Sequence, residues 1–511
     1  MKKIISSLSF IVITLSGFAQ HPGQLSFTIL QLNDVYEIAP LEGGTRGGMA
    51  RVATVRKQLL QQDPNTITVL AGDFVSPSLI GTLPYFDSTE NKKMKVSGGQ
   101  MVDVMNRVGV DYVTFGNHEF DISLDLLAKR INESDFTWVN SNVSLAGNAP
   151  FVKIKNGLAD TIHPYAIHTF HFPGGQSIRL GIIGATLPFN KTQPVIYNDL
   201  DSAVNAAYQQ LRPRCDIIMA LTHLEIGMDK QLAQRVPGLQ LIMGGHEHIA
   251  SSDKVGDVPI YKADANAKSV YIHTVTYDTV SKKVSIRSDL KMIDESVAFD
   301  PAVDAVVQGW MQFADSAMID MGYDPYDSLL FTKTPLDGRE SEIRNHVTNY
   351  TQLISNALYS CDSSVDMALY NSGSLRVDDQ LKGVITQYDV LRSLPFGGGL
   401  VIMHLKGDVL EKVLTIGTIT NKNSGGYLQM ARASFRKPAR TKKGQWYIGN
   451  KLLDKKRMYK IILPAYVAQG NESNLEFLKQ FTYCTPIAFK GFALKNDIRD
   501  AVIYFMKHGR K

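Results

Sequence analysis

The first half of the chain alternates short apolar runs with segments of helical spacing. Residues 48–61 and 97–108 place apolar side chains three and four positions apart, which predicts two helices. Strands alternating with helices are typical of an α/β domain whose helices cover a sheet. The apolar runs that predict buried strands are residues 26–32, 66–71, 112–115, 178–183 and 217–221.

The pattern changes at residue 255. Residues 255–293 alternate polar and apolar side chains, which predicts antiparallel strands that close the first domain. Residues 300–326 then show a helical period, and we interpret them as a linker helix. From residue 328, a strand, a helix at 350–359 and a strand at 366–369 predict a second domain with mixed α and β structure.

Composition limits the class of protein. The 511 residues, 44% of them hydrophobic and 20% charged, predict two to four domains and exclude a disordered or collagen-like chain. The formal charge of +5 does not predict nucleic-acid binding or a polybasic membrane surface. Cys215, Cys361 and Cys484 form no CxxC or Cys/His cluster, which argues against a thiolate zinc site. We interpret all three as buried thiols, and they allow at most one disulfide.

The N-terminal segment has the three parts of a secretory signal. Lys2 and Lys3 precede an apolar run at residues 4–15, and Gly17 and Ala19 are small residues before an expected cleavage site. The run is shorter than the ~20 residues that a membrane anchor needs, and no later stretch is long and apolar enough to span a bilayer. We therefore expect export to the periplasm or extracellular space, with a formal charge of +3 after removal of the two lysines.

Residues with metal-binding side chains follow five predicted strands, at the ends where open α/β sheets gather their ligands. A single Asp or Asn at such a place often caps the next helix. Five such segments in this order, several of them beside glycine, are more than helix capping explains. The segments are Asn33-Asp34, Gly72-Asp73, Gly116-Asn117-His118-Glu119 and Thr222-His223, and Gly245-His246-Glu247-His248 after a further apolar run at residues 239–244.

These side chains suit divalent cations. Carboxylate, amide oxygen and imidazole bind hard or borderline metals, and an aspartate can bridge two of them. Two metals about 3.5–4 Å apart can activate a water molecule and hold the oxygens of a displacement on phosphorus. Glycine next to a ligand lets the backbone turn sharply and lets a phosphate approach. The residues therefore suit a two-metal site that a phosphate group could approach.

The ordered set ND…GD…GNHE…H…GHEH resembles the calcineurin-like metallophosphoesterase signature, within a chain that resembles the secreted 5′-nucleotidase/UDP-sugar hydrolase family. The resemblance implies an α/β (α+β) fold in which a four-layer β-sandwich flanked by helices precedes the second domain. It implies two divalent metals, from among zinc, manganese, cobalt, magnesium and calcium. It implies one metal on Asp34 and His248, a bridging Asp73, and the other metal on Asn117, His223 and His246.

The same resemblance assigns an acid–base pair. His118 would stabilise the transition state or protonate the leaving group, and Asp121 would orient it. One position departs from the family, which usually has a histidine where this chain has Tyr36. A phenol is a poor ligand at neutral pH unless a metal lowers its pKa from about 10. We hypothesise that Tyr36 coordinates weakly or leaves room for water, so that the first metal binds less tightly; simple ring packing is an equal alternative.

The second half resembles the family's C-terminal substrate-binding domain at residues 343–350, 369–376, 383–386, 394–398 and 462–472. The resemblance implies that a nucleobase stacks between Phe396 and Tyr466, an arrangement worth ~1–3 kcal/mol per base. Taken singly, either ring would be read as a core residue. The resemblance also implies an edge contact from Asn371, ribose or phosphate contacts from Arg344 and Arg376, and Glu472 in place of an aspartate that binds the ribose hydroxyls.

These expectations divide the chain into a signal peptide (1–19), a metallophosphoesterase domain (20–299), a linker helix (300–327) and a substrate-binding domain (328–511). The expected function is an exported 5′-nucleotidase that acts on nucleoside 5′-monophosphates, without a nucleic-acid or protein partner. Hydrolysis of UDP-sugars, dinucleotides or 2′,3′-cyclic nucleotides is an alternative. A nucleotide-binding protein with decayed catalysis is another, motivated by Tyr36.

Overall fold

The computed structural model describes residues 23–88, 91–188, 195–437, 444–484 and 496–509. The segment interpreted as a secretory signal lies outside these residues. Within them, no helix combines the length and the apolar composition that crossing a membrane requires.

The first half contains two six-stranded sheets. The strands are β1 Gln24–Leu32, β2 Thr66–Leu70, β3 Pro84–Asp87, β4 Lys92–Lys95, β5 Tyr112–Val113, β6 Thr137–Trp138, β7 Val143–Leu145, β8 Val152–Lys155, β9 Leu158–Thr161, β10 Tyr165–His171, β11 Ser177–Thr186, β12 Val195–Tyr197, β13 Ile217–His223, β14 Ile242–Gly244, β15 Ser251–Val255, β16 Val258–Lys262, β17 Ser269–Asp278 and β18 Val284–Met292. One six-stranded sheet has the order β18-β17-β1-β2-β5-β6 and the other β10-β11-β13-β14-β16-β15.

Alternation along the strands produces a layered sandwich. In β1, Phe27 and Ile29 point into the core between the two sheets, whereas Leu30 and Leu32 point to the helices on the other face. The second sheet is covered in the same way, so the first half has two inner sheets and two outer layers of helices, as predicted. The helices here are α1 Met49–Gln62, α2 Leu79–Thr82, α3 Gly99–Val108, α4 Leu124–Glu133, α5 Leu200–Leu211 and α6 Ile226–Arg235.

The predicted helix after the first half is α7, Pro301–Asp320. Asp300 caps its N-terminus by accepting hydrogen bonds from the N–H groups of Ala302 and Val303, both at 3.1 Å. Its Val303 and Val307 are buried, and Trp310 donates to Asp103 of α3 at 2.9 Å. The N-terminal part of the helix therefore packs against the first half, in addition to connecting it to the second.

The second half is built on a five-stranded sheet. Its elements are β19 Ser328–Asp337, α8 Glu340–Ile343, α9 Asn349–Ser360, β20 Met367–Asn371, β21 Gln380–Thr386, α10 Gln387–Ser393, β22 Leu400–Lys406, α11 Gly407–Thr415, β23 Leu428–Ala431, β24 Ala433–Arg436, β25 Gln445–Ile448, β26 Lys451–Leu452, β27 Met458–Pro464, α12 Ala465–Ala468, β28 Tyr483–Cys484 and α13 Ile498–His508. The sheet has the order β23-β20-β27-β22-β28.

The two halves share a core. One buried apolar cluster contains Val52 of α1, Val307 of α7 and Tyr350 of α9.

The interpretation of the three cysteines as buried thiols is wrong for two of them. Cys361 is buried, but Cys215 is only half-buried and Cys484 is exposed, since β28 is an edge strand of its sheet. All three are free thiols.

The cap of α7 generates a stability prediction. Asp300→Ala should lower the free energy of unfolding by about 1 kcal/mol, because it leaves two backbone N–H groups of the first turn without their acceptor. Urea unfolding followed by circular dichroism measures the shift. Asp320→Ala, at the exposed other end of the helix, is the control and should change stability by less than about 0.5 kcal/mol. Equal effects of the two substitutions would contradict the capping role.

Candidate metal centre and adjoining cleft

The candidate ligands converge where parallel strands end. β1 and β2 are parallel neighbours in the first sheet, and β13 and β14 are parallel neighbours in the second. Asp34 follows β1, Asp73 follows β2, and His223 is the last residue of β13. Ligand atoms of these three buried residues lie within 4.8 Å of one another, which is close enough to share one metal ion.

His223 lies at the middle of this group. Its Nε2 is 3.2 Å from the Asp73 Oδ2, 3.2 Å from the Asn117 Oδ1 and 3.9 Å from the Asp34 Oδ1. Its Nδ1 lies 2.8 Å from the carbonyl oxygen of Ala71 and donates to it. That bond leaves Nε2 facing the carboxylates, which is the orientation that a metal-binding imidazole requires.

The two histidines after β14 complete the cluster. The His248 Nε2 is 3.4 Å from the Asp34 Oδ1. The backbone N–H of His246 donates to the Asp34 Oδ2 at 2.8 Å, and the His246 ring centroid is 5.4 Å from that of His223. All six side chains assigned to metals from the sequence therefore gather at one place.

Four of the six adopt left-handed backbone conformations that few residues other than glycine occupy. The φ angles are 53° at Asp34, 58° at Asp73, 92° at His246 and 59° at His248. Such conformations cost about 1–3 kcal/mol each and concentrate at functional sites. Their repetition here indicates that the strand ends are shaped to aim side chains at a common point.

Glycines are needed beside these ligands because the chains approach closely. A methyl group on Gly116 would overlap the Asp73 carboxylate and lie 2.6 Å from the Asp73 backbone nitrogen. One on Gly245 would lie 2.9 Å from the His223 Nδ1 and 3.0 Å from the Asp34 Oδ2. Both distances are shorter than ordinary van der Waals contact, so the predicted role of glycine at these positions has a direct steric basis.

The electrostatics of the cluster fit a divalent cation. Although burial would raise it, the charge of His223, together with hydrogen bonds from the His223 ring and the His118 backbone N–H, holds the pKa of Asp73 well below its ordinary value. Burial would lower the pKa of His223, but Asp73 and Asp34 raise it to about 9. The buried Asp34 Oδ1 accepts no hydrogen bond within the described part of the chain. Two buried carboxylates with an unused oxygen need positive charge, and this donor set suits a divalent metal.

Glu119 holds the loop of Asp73, a function that the sequence analysis did not identify. Its buried carboxylate accepts hydrogen bonds from the N–H groups of Asp73 at 2.9 Å, Phe74 at 2.8 Å and Val75 at 3.1 Å, and also from Gly116. Burial, with the charge of Asp73, raises the pKa of Glu119 to about 7. The GNHE segment contains this residue, but its bonds to a loop over forty positions away leave no sequence signal.

His118 links the two halves of the chain. Its Nδ1 is 2.6 Å from the Asp121 Oδ2, and its Nε2 is 2.7 Å from the Nη2 of Arg376 in the second half. Because the guanidinium can only donate, Nε2 is an acceptor here and Nδ1 donates to Asp121. The backbone N–H of His118 also donates to the Asp73 Oδ1 at 2.8 Å, which joins this pair to the metal cluster.

Tyr36 makes polar contacts inside the cluster. Its buried hydroxyl donates to the Asp73 Oδ2 at 3.0 Å and lies 3.1 Å from the His248 Nε2. The phenol thus occupies a place between two candidate ligands of the first metal, which packing of its ring alone does not explain. Weak coordination by Tyr36 stays a prediction.

The remaining sequence-predicted residues all belong to the second half of the chain. Arg344 is paired with Glu340 at 2.6 Å, and the side chains of Asn371 and Glu472 are buried. Phe396 and Tyr466 are 52% and 51% exposed, so neither ring is a core residue. Phe396 lines a cavity of about 280 Å³ together with first-half residues that include Asp121. Burial raises the pKa of Tyr466, and the carboxylates of Glu472 and Asp121 raise it further.

Comparison with known proteins finds a family match for each half of the chain. The family model for calcineurin-like phosphoesterases matches residues 27–250, and the model for the 5′-nucleotidase C-terminal domain matches residues 329–480. The 5′-nucleotidase of Homo sapiens is 25% identical over 513 residues, covering 88% of this chain and 84% of its own. That of Bos taurus is 26% identical over 444 residues, covering 77% and 72%.

Solved structures share the fold of the whole chain. A 5′-nucleotidase precursor from Thermus thermophilus superposes with a TM-score of 0.73, 23% identity and coverage of 94% of this chain and 96% of its own. A sulfate thiohydrolase, SoxB, from Thermus thermophilus superposes with a TM-score of 0.68, 16% identity and coverage of 94% and 93%. At these identities the likeness concerns the fold, which proteins with differently named activities share.

The close approach at Gly116 generates a prediction for metal binding. Gly116→Ala should raise the dissociation constant for Mn²⁺ about tenfold or more, because the added methyl displaces the Asp73 carboxylate at a strain of about 1–3 kcal/mol. Isothermal titration of the metal-free protein measures this constant. Gly227→Ala is the matched control, since a methyl group there meets no atom within 4 Å. Unchanged Mn²⁺ binding in Gly116→Ala would contradict the assignment of Asp73.

Proposed function

We propose that this chain, which belongs to the family that joins a calcineurin-like phosphoesterase domain to a 5′-nucleotidase C-terminal domain, hydrolyses nucleoside 5′-monophosphates. The observation that carries the proposal is the contact between the two halves at His118. There, an acid–base pair beside two buried carboxylates meets an arginine of the substrate-binding half. The alternative of a nucleotide-binding protein without catalysis is disfavoured, because the His118–Asp121 pair and the metal cluster are both intact.

The six converging side chains would hold two divalent ions. Asp34 and His248 would bind one, Asn117, His223 and His246 the other, and Asp73 would be shared. Support comes from the short distances around the His223 Nε2 and from the unused Oδ1 of Asp34. When bound, such ions activate a water molecule and stabilise negative charge on the phosphoryl oxygens.

His118 would act at the leaving group. Its Nδ1–H is held by Asp121, so its Nε2 is the atom that accepts or delivers a proton toward the cleft. Protonation at Nε2 would displace the present hydrogen bond from Arg376, freeing that guanidinium to bind the phosphate. The His118 Nε2 would therefore supply a proton to the ribose oxygen, and the neighbouring Arg376 would supply positive charge to the phosphate.

The second half would hold the nucleoside. Phe396 and Tyr466 offer half-exposed rings for stacking, and Asn371 would contact the edge of the base. Glu472 would bind the ribose hydroxyls, and Arg344 would bind on the ribose or phosphate side. UDP-sugars and 2′,3′-cyclic nucleotides are alternative substrates of the same centre, and the Glu472 position, where the family has aspartate, is where sugar recognition would differ. We also propose export, on the pattern of residues 1–20.

Metal removal and a variant at His118 test the catalytic proposal. Treatment with EDTA should abolish phosphate release from AMP, and Mn²⁺ or Zn²⁺ should restore it. His118→Ala should lower kcat about 10²–10⁴-fold, because no group then protonates the leaving oxygen.

The matched control is His163→Ala. His163 also lies three residues from an aspartate, Asp160, at 3.5 Å, but it is exposed and outside the cleft. The His163→Ala variant should retain the wild-type kcat. Hydrolysis of AMP by His118→Ala at the wild-type rate, or full activity in EDTA, would refute the mechanism.

Base stacking predicts an effect that depends on the substrate. Phe396→Ala should raise KM for AMP about 5–150-fold, the equivalent of the ~1–3 kcal/mol that stacking is worth. It should leave KM for ribose 5-phosphate, which has no base, unchanged. Phe331→Ala, at a 61% exposed phenylalanine on β19, is the control. An equal change in KM for both substrates would argue against stacking on Phe396.

A further inference from the structure

A carboxylate of the second half lies behind a candidate metal ligand of the first half. The His248 Nε2 faces Asp34 and Tyr36 in the cluster, at 3.4 Å and 3.1 Å. On the other side of the ring, Nδ1 is 3.1 Å from the Asp378 Oδ2. A hydrogen bond from Nδ1 to a carboxylate fixes the ring and keeps the Nε2 lone pair directed at the metal.

Asp378 is itself held by both halves. Its Oδ1 accepts the backbone N–H of Glu340 at 2.8 Å, and its carbonyl oxygen accepts from the Nζ of Lys268, a first-half residue, at 3.2 Å. The side chain is buried, and φ is 42°, a left-handed conformation that aspartate tolerates better than most residues. The carboxylate is therefore fixed in direction before it meets the imidazole.

Glu340 is a second carboxylate near the His248 Nδ1, but it pairs with a different residue. Its Oε2 is 3.8 Å from the His248 Nδ1, beyond hydrogen-bond range, and its Oε1 is 2.6 Å from Arg344. Glu340 is thus engaged with an arginine of its own half. Asp378 is the hydrogen-bond acceptor of His248.

Two of the ligand histidines differ in what orients their rings. The His223 Nδ1 bonds to the Ala71 carbonyl, within the first half. The His248 Nδ1 bonds across the interface between the halves. The metal bound by Asp34 and His248 would therefore depend on the second half for the geometry of a ligand, and its site also contains Tyr36.

We propose that Asp378 is a positioning residue for the first metal, so that the affinity of this site depends on contact between the two halves. The inference rests on the proposed function, because it requires the cluster to bind metals. By thermodynamic linkage, binding of the first metal must favour the contact by the same factor by which the contact favours binding. Within the described residues, the hydrogen bonds of Asp378 reach His248, Glu340 and Lys268 and no ligand of the second metal.

Titration of the metal-free full-length protein with Mn²⁺ tests the proposal. His248→Ala identifies the first site as the binding step that it removes. Asp378→Asn keeps the shape and the left-handed backbone but removes the charge, and it should raise the dissociation constant of that step about 10–100-fold. The constant of the other step should be unchanged. Asp362→Asn is the matched control: its carboxylate is similarly shielded, 13% exposed against 10% for Asp378, but it pairs with Lys460 inside the second half.

Lys268→Met provides a second variant, independent of how well Asp378→Asn folds. Loss of its bond to the Asp378 carbonyl should weaken the same step by a smaller factor and leave the other step alone. Wild-type constants in both Asp378→Asn and Lys268→Met, or equal weakening of both steps, would overturn the inference. Absence of any Mn²⁺ binding to the wild-type protein would instead overturn the proposed function.

Discussion

The structure depends on placing two ionised carboxylates, Asp34 and Asp73, out of contact with water. Burial of such groups is costly unless opposite charge lies close to them. In the protein as described, the imidazoles of His223 and His248 meet this need. Two divalent ions would meet it more completely, so the burial of these carboxylates creates the capacity to bind metal. The left-handed backbone at Asp34, Asp73, His246 and His248 aims the side chains at this point.

The layered fold makes this placement feasible because it brings the ends of parallel strands from two sheets to one edge. Glu119 then fixes the loop of Asp73 by accepting hydrogen bonds from several of its backbone N–H groups. The second half completes the site from outside, with Arg376 on His118 and Asp378 on His248. The two halves thus meet at two histidines, His118 and His248.

Much of this could be predicted from sequence, where a local pattern carries the information. Alternation and helical spacing located β1, β2 and α1 to within two residues, and polar residues at strand ends identified the cluster. The start of α7 was located to within one residue, but the helix ends at Asp320, before the predicted end at residue 326. Glu119, Glu340 and Asp378 were missed because each acts through contacts with residues far away in the chain, which no local pattern records. Cys484 was misjudged because its exposure follows from the position of β28 at a sheet edge, a property of sheet order.

The most direct measurement of the central claim is anomalous diffraction from crystals of the protein loaded with Mn²⁺ or Zn²⁺. The account predicts two peaks about 3.5–4 Å apart on either side of the Asp73 carboxylate. One should be bound by Asp34 and His248 and the other by Asn117, His223 and His246. A map without an anomalous peak within coordination distance of the Asp73 carboxylate would contradict the account.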